Sequence, residues 1–264
     1  MGIEIGSAVL DQGVHLYVEK PVGRTSREAS PLVEAARRSP KRTQVGFNQR
    51  HAPAMRLAKQ LVSAPEFGEP TYMESRHWEP SRLAPVWGIT DLPYAWLMLH
   101  GIHAVDMLRY VFGEVAEVYS QTSVTRHVGS LVSLCRFENG ANGVLNLHST
   151  ATGQEQMFEA VGSRGVAVRV DDFADVQYTS NDHWAPDVSG RQGKFVHRTY
   201  DVTVGDRKGY RTELASFARC LLTGEAPSPS VEDGAASTRL AEAIYRSVRT
   251  GRAVRVADAP AIDV

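Results

Sequence analysis

The sequence predicts two unlike parts: the tail of a parallel, doubly wound α/β sheet, then a larger α+β part built on an open, mostly antiparallel sheet. Three observations predict it. Helix and strand patterns alternate through the first 50 residues, as they do where crossover helices join parallel strands. A short apolar strand ends at Glu19-Lys20-Pro21, which puts a lysine in the crevice beyond the strand ends, where open α/β sheets bind ligands. Later, apolar–polar alternation is broken by Asn139-Gly140, the strongest short-range hairpin signal.

Residues 3–11 place Ile5, Ala8 and Val9 on one helical face, and Gly13 supplies the stop. Residues 15–18 form a buried strand. Thr25-Ser26-Arg27-Glu28 has the spacing of a capping box, so the next helix covers residues 27–38. Residues 43–47 are the second strand. From Ala52 a helix carries Met55, Ala58, Leu61 and Val62 on one face, and residues 69–73 follow as a strand. Residues 76–97, with Trp78, Trp87, Tyr94 and Trp96, show no period and read as a long functional loop. A helix over residues 100–111 ends at Gly113. Strands 131–138 and 141–148 form one hairpin, and 156–161 and 166–170 a second across Gly162-Ser163-Arg164-Gly165. A strand over 196–204 and helices over 210–222 and 234–250 complete the pattern. The expected division is residues 1–50 and residues 51–264.

At 264 residues there is ample apolar content for a core. A net charge of −1 gives no global attraction to nucleic acid or to an anionic membrane. Arg37, Arg38, Lys41 and Arg42 read as a solvated helix end. Cys135 and Cys220 lie in separate apolar stretches and are expected as buried free thiols. No leader-like segment and no run of ~18 apolar residues is present, so a cytoplasmic protein without a membrane span is expected.

Four groups can carry chemistry. Lys20, held at a strand end, can donate to a substrate hydroxyl and stabilise a developing alkoxide; otherwise it is an ordinary surface lysine. His103 and Asp106 share a helix face, so the carboxylate can orient the imidazole for proton transfer. His100 and His103 have a spacing that suits a metal, but no third ligand stands at a telling distance, and none is expected. Asn48-Gln49-Arg50-His51 follows the second strand as a polar loop at the same sheet edge as Lys20. Trp78, Trp87 and Trp96 can stack on a sugar ring or pack the loop down.

Together, Gly13-Val-His-Leu-Tyr-Val-Glu-Lys-Pro21, Val45-Gly-Phe-Asn-Gln-Arg50, Phe67-Gly68, Gly101-Ile-His-Ala-Val-Asp106 and Val161-Gly-Ser-Arg-Gly165 resemble the Gfo/Idh/MocA family of NAD(P)-dependent sugar and polyol oxidoreductases. Ser230-Val-Glu-Asp-Gly234 and Ala243-Ile-Tyr-Arg-Ser247 extend the match to nearly the whole chain. The resemblance implies a remnant of a Rossmann sheet followed by an α/β domain with a large open sheet that binds substrate and oligomerises. It implies hydride transfer between a carbinol carbon and NAD or NADP, with Lys20 and His103 catalytic. Glu19, Lys20, Pro21, Asn48 and Arg50 would lie against the cofactor. Lys20, His100, His103, Trp87 and Tyr94 would meet the sugar or polyol.

Two departures stand out. Many members of that family carry an aspartate four residues before the position of His103, where this sequence has Leu99. That leaves His100 or a water in its place. Nor does the sequence contain a Gly-x-Gly turn, the element that seats pyrophosphate on a helix N-terminus. The expectation is a chain lacking the front of its Rossmann domain, which binds nicotinamide cofactor weakly and is inactive or impaired alone. The alternative is a non-catalytic sugar-binding or scaffold module. A homodimer or tetramer formed through the later sheet is expected in either case.

Overall fold

The computed structural model describes residues 2–125, 127–149, 153–181, 195–202 and 205–262. The first part is small. Helix α1 (Gly2–Asp11) leads to β1 (Leu16–Val18), then α2 (Ser26–Arg38) to β2 (Thr43–Val45). The two strands pair in parallel, Tyr17 beside Gln44. Thr25 caps α2 by accepting from the Glu28 amide at 3.1 Å, as its spacing predicts. Glu28 does not close the reciprocal half of the box. Its carboxylate instead accepts from the Arg24 amide and guanidinium.

A tight 3-10 turn (Asn48–His51) and α3 (Pro53–Val62) lead into the main sheet. Its strands are β3 (Pro70–Trp78), β4 (Val115–Thr125), β5 (Val128–Phe137), β6 (Asn142–His148), β7 (Glu155–Gly162), β8 (Val166–Asp171), β9 (Asp175–Asn181), β10 (Phe195–Asp201) and β11 (Val254–Arg255). Their spatial order is β10-β9-β8-β7-β3-β6-β5-β4-β11. Every neighbouring pair is antiparallel except β3 and β6. The mostly antiparallel expectation holds, with a parallel seam at its centre.

Several elements differ from expectation. Strand β3 continues to Trp78, so the expected loop loses its first residues. Its end is ordered too, as α4 (Leu92–Trp96) and a π turn (Leu97–Gly101) that runs into α5 (Ile102–Phe112). Strands β4, β9 and β11 had no counterpart in the sequence pattern. Strand β10 stops at Asp201, and Thr203 and Val204 lie outside the described residues.

One face of the main sheet packs against helices. Met73, Ser75 and His77 of β3 point to that side with Leu145 and Leu147 of β6 and Cys135 of β5. Cys135 and Cys220 are both buried and free. The opposite face stays open, with Tyr119, Val132 and Leu134 exposed. Two further helices, α6 (Tyr210–Thr223) and α7 (Val231–Thr250), return to the first part. α7 packs on α2 and β2 as well as on α5 and β4, so the last long helix clamps the small parallel sheet to the large one. Its Gly234 lets the approach happen: a Cβ there would lie 2.3 Å from Val22 Cγ2. At the start of α6, Gly209 has φ +84, and a Cβ would lie 2.4 Å from the Asn48 carbonyl.

Helix α6 also buries Glu213 against β1. Its Oε2 accepts from the Tyr17 hydroxyl at 2.8 Å, and its Oε1 has no partner among the described residues. Burial, reinforced by Glu19 and Asp206, raises this carboxyl to about 7, against 4.5 for an ordinary glutamate. The folded chain therefore keeps a proton that the unfolded chain releases near pH 4.5, and stability falls as pH rises from there through 7. The loss should approach ~3 kcal/mol, read by urea unfolding at pH 5 and pH 8. Glu213→Gln should flatten the difference; an unchanged slope in that variant would assign the effect elsewhere.

Candidate functional site

Lys20 leaves the carboxyl end of β1 and reaches the π turn, where its Nζ donates to the Leu99 carbonyl at 2.7 Å. One of its three donors is spent there. Burial lowers the ammonium below its usual value, and Glu19 and Glu79 pull it partly back. π turns interrupt the regular helical ladder and recur at functional sites. This one carries His100, and His103 follows at the start of α5 within the field of Lys20. The His103 ring sits edge-on to Phe47, its centroid 5.9 Å away. Its Nδ1 is buried with no partner among the described residues. Burial, and after it the charge of Lys20, holds His103 well below its ordinary value, so the ring is neutral.

A carboxylate stands in the same cluster. Glu79 follows β3, two residues beyond His77 and therefore on the same sheet face. Its Oε2 meets His77 Nε2 at 3.0 Å and its Oε1 meets His100 Nδ1. Hydrogen bonds from His100 and then His77 hold the Glu79 carboxyl well below the usual carboxylate range. Sequence reasoning missed Glu79 and His77. The available signal was His77-Trp78-Glu79 read with the period of a strand, which puts an imidazole and a carboxylate side by side.

Asp106 does not orient His103, which corrects the reading from helical spacing. It is fully buried and forms a bidentate pair with Arg50, at 2.6 Å from Nε and 2.7 Å from Nη2. Ser237 of α7 donates to the same carboxylate at 2.8 Å and accepts from Arg109. Arg50 also stacks on Tyr110, 5.3 Å from the ring centroid. Its donors are committed to the junction of α5 and α7. Nor is Asn48-Gln49-Arg50-His51 a solvated loop: all four residues are buried. Asn48 donates to the Lys208 carbonyl at 2.8 Å, and burial lowers His51 to about 4.

The tryptophans divide. Trp78 lies on the open sheet face, bonded to Asn146 and stacked with Arg76. Trp96 is buried on Ser81. Tyr94, expected at the substrate, is fully buried, with its hydroxyl on the Arg24 carbonyl at 2.6 Å and its ring against Tyr245. It anchors the loop. Trp87 alone of these aromatics is exposed, in left-handed backbone at φ +50, its carbonyl accepting from Arg24. It overhangs an open crevice of about 950 Å³ that Glu19, Lys20, Pro21, Arg24 and the face of α1 line. Among the described residues no group of three or more His, Cys, Asp or Glu is placed to hold a metal, and no helix is long and apolar enough to cross a membrane.

Residues 59–256 match the model of the oxidoreductase family's C-terminal alpha/beta domain, of the Gfo/Idh/MocA type. The chain is 29% identical over 255 residues to the uncharacterized oxidoreductase YrbE of Bacillus subtilis, covering 92% of this chain and 71% of that protein. It is 27% identical to a myo-inositol 2-dehydrogenase of Thermotoga maritima, covering 92% and 72% respectively. Its fold superposes on a levoglucosan dehydrogenase solved with NADH and L-sorbose, with a TM-score of 0.84 at 21% identity, covering 97% of this chain and 77% of that one.

The buried pair behind the cluster gives a direct expectation. Asp106→Ala takes both short bonds from the buried Arg50 charge and leaves it one carboxylate, Asp233, 3.7 Å from Nη1, which should cost about 3–5 kcal/mol in urea unfolding. Replacing both, as Arg50→Met with Asp106→Leu, should recover most of that loss. A single-variant cost below ~1 kcal/mol would show that water reaches the pair.

Proposed function

This chain belongs to the Gfo/Idh/MocA family of oxidoreductases, and on that premise we propose that it carries the catalytic centre of a dehydrogenase acting on a sugar or polyol with NAD or NADP. The observation that carries the proposal is that Lys20 lines the crevice while its charge acts on buried His103, in one cluster with Glu79 and His100. A myo-inositol 2-dehydrogenase among the relatives supports the polyol class.

Oxidation of a carbinol to a carbonyl removes one hydride from carbon and one proton from oxygen. A bound oxidised nicotinamide supplies the hydride acceptor. Lys20 has donors left after Leu99 and can bind the hydroxyl, favouring its alkoxide character. His103 is neutral and so can accept the proton. Residues 19–21 and Trp87 give the crevice a wall against which a flat ring can lie. These residues fit the nicotinamide end of the cofactor. For the pyrophosphate end, this sequence offers no Gly-x-Gly turn. The alternative reading is a sugar-binding or scaffold module without turnover.

The open sheet face supports self-association. Tyr119 lies beside Leu134 and Gln121 beside Val132, and the row continues to Val144. Leu134 is 57% exposed and Val132 is 41% exposed. Contiguous exposed apolar surface of this kind marks an interaction site, and an isologous pairing of two such faces closes it. We assign the face to a homodimer or tetramer.

Incubation with a panel of polyols and sugars plus NAD or NADP, followed at the reduced-nicotinamide absorbance, tests the first reading. Saturation-transfer NMR on the same panel reports binding alone. Lys20→Ala and His103→Ala should each lower kcat by about 10²–10⁴-fold with polyol binding and circular dichroism retained. Binding without turnover selects the second reading, and neither binding nor turnover removes both. For assembly, light scattering should give a dimer or tetramer mass that Leu134→Arg reduces. A monomeric wild type would remove the interface.

A further inference from the structure

The pair formed by Glu79 and His100 has a geometry of its own. Both Glu79 oxygens face imidazoles, His100 Nδ1 on one and His77 Nε2 on the other, with the Gln154 amide at 3.4 Å. The carboxylate is rigidly seated, because its own amide donates to the His148 carbonyl at 3.0 Å and so extends the β3–β6 seam. With Nδ1 turned to the carboxylate, Nε2 is the nitrogen that His100 has left. Exposure rises along the row, from 5% at the His77 side chain through 15% at Glu79 to 28% at His100. The imidazole thus stands between a shielded carboxylate and solvent.

We propose that Glu79 and His100 act as one carboxylate–imidazole unit through which the substrate proton leaves the site. The proposal rests on the dehydrogenase reading above. Position 99 offers His103 no carboxylate, and the one that the sheet brings to the cluster, Glu79, is bonded to His100 and His77.

The charges explain why a second imidazole is needed. His103 faces Lys20 from the end of β1, His77 from β3, His100 from the π turn and Glu79 from beyond β3; Glu19 adds to the field at Lys20. Three of those neighbours are basic, and the ring is buried, so a proton taken up at His103 is not held there. His100 has the opposite setting, with a carboxylate on one nitrogen and solvent access on the other. In the oxidative direction the hydroxyl proton passes to neutral His103 and from it to Nε2 of neutral His100, whose Nδ1 already carries a proton toward Glu79. The His100 imidazolium is stabilised by Glu79, and Nε2 then returns the proton to water. In reduction the same nitrogen takes the proton up. Glu79 touches neither substrate nor cofactor in this scheme and is a positioning residue.

Nitrogen-15 spectra of the histidine rings, recorded on the chain without cofactor or substrate, read the unit directly. Neutral His100 should carry its proton on Nδ1, and Glu79→Ala should abolish that preference. An Nε2-protonated His100 in the wild type, or a tautomer indifferent to Glu79→Ala, overturns the proposal. In turnover, Glu79→Ala and His100→Ala should each lower kcat by about 10²-fold with the KM for polyol nearly unchanged, and the double variant should be no worse than the weaker single. Leu99→Asp, which places a carboxylate one helical turn before His103, should restore part of the loss in Glu79→Ala. Additive losses, or a loss confined to KM, also overturn it. If the wild type turns over no sugar or polyol, the dehydrogenase reading fails, and the ring spectra alone decide whether the unit exists.

Discussion

Removing a guanidinium and a carboxylate from water costs several kcal/mol for each, and only close, fully bonded geometry offsets it. Arg50 and Asp106 meet that condition: two short parallel bonds, a serine hydroxyl on the carboxylate and a tyrosine ring beneath the guanidinium. The pair ties three elements that are remote in sequence. Arg50 comes from the turn after β2, Asp106 from the middle of α5 and Ser237 from α7. Because the bonds are directional, they fix the rotation of α5 about its axis. With that rotation set, His103, one turn earlier, faces Lys20. Asp106 therefore serves the histidine by orienting the helix that carries it, without touching the ring.

The cluster around Lys20 is electrically lopsided. One ammonium and three imidazoles gather around a single shielded carboxylate, Glu79. In partly buried surroundings each added positive charge makes the next less favourable. The deepest ring, His103, holds a charge least readily. Burial depth, the charge of Lys20 and the reach of Glu79 together differentiate chemically similar side chains, as environment does for paired carboxylates in enzymes.

What was legible in the sequence follows from where the information lies. The turn at Asn139-Gly140 is local. Gly140 takes φ +89, and the Asn139 side chain closes the turn on the Ala141 amide. Helices α2 and α3 were legible because their buried residues keep a helical period. Strand β4 was not. Its inward position 120 is a serine that bonds Ser133 and Ser247, so the buried side does not read as apolar. Polar residues 48–51 misled for the same reason, since their buried state depends on partners from α5, α6 and β7. Lys20, His100 and His103 stood out by residue type and spacing. Glu79 did not, because its partnership with His100 exists only after β3 has been laid beside β6.

The parallel β3–β6 seam settles where the rigid framework ends. The backbone of residues 79, 81 and 83 is bonded to His148, Ser149 and His127 respectively, which carries the sheet's order past the last ionisable group of the cluster. Only then does the chain turn, at the Val86–Ile89 bridge that displays Trp87. The stretch that carries Glu79 and the tip that displays Trp87 thereby adjoin, with the sheet's hydrogen bonds holding the first. A lineage could lengthen, shorten or recolour the tip around Trp87 and change which molecule is admitted, with the proton-handling groups left where they are. On the dehydrogenase reading proposed above, substrate range can diversify at that tip without disturbing the groups that move the proton.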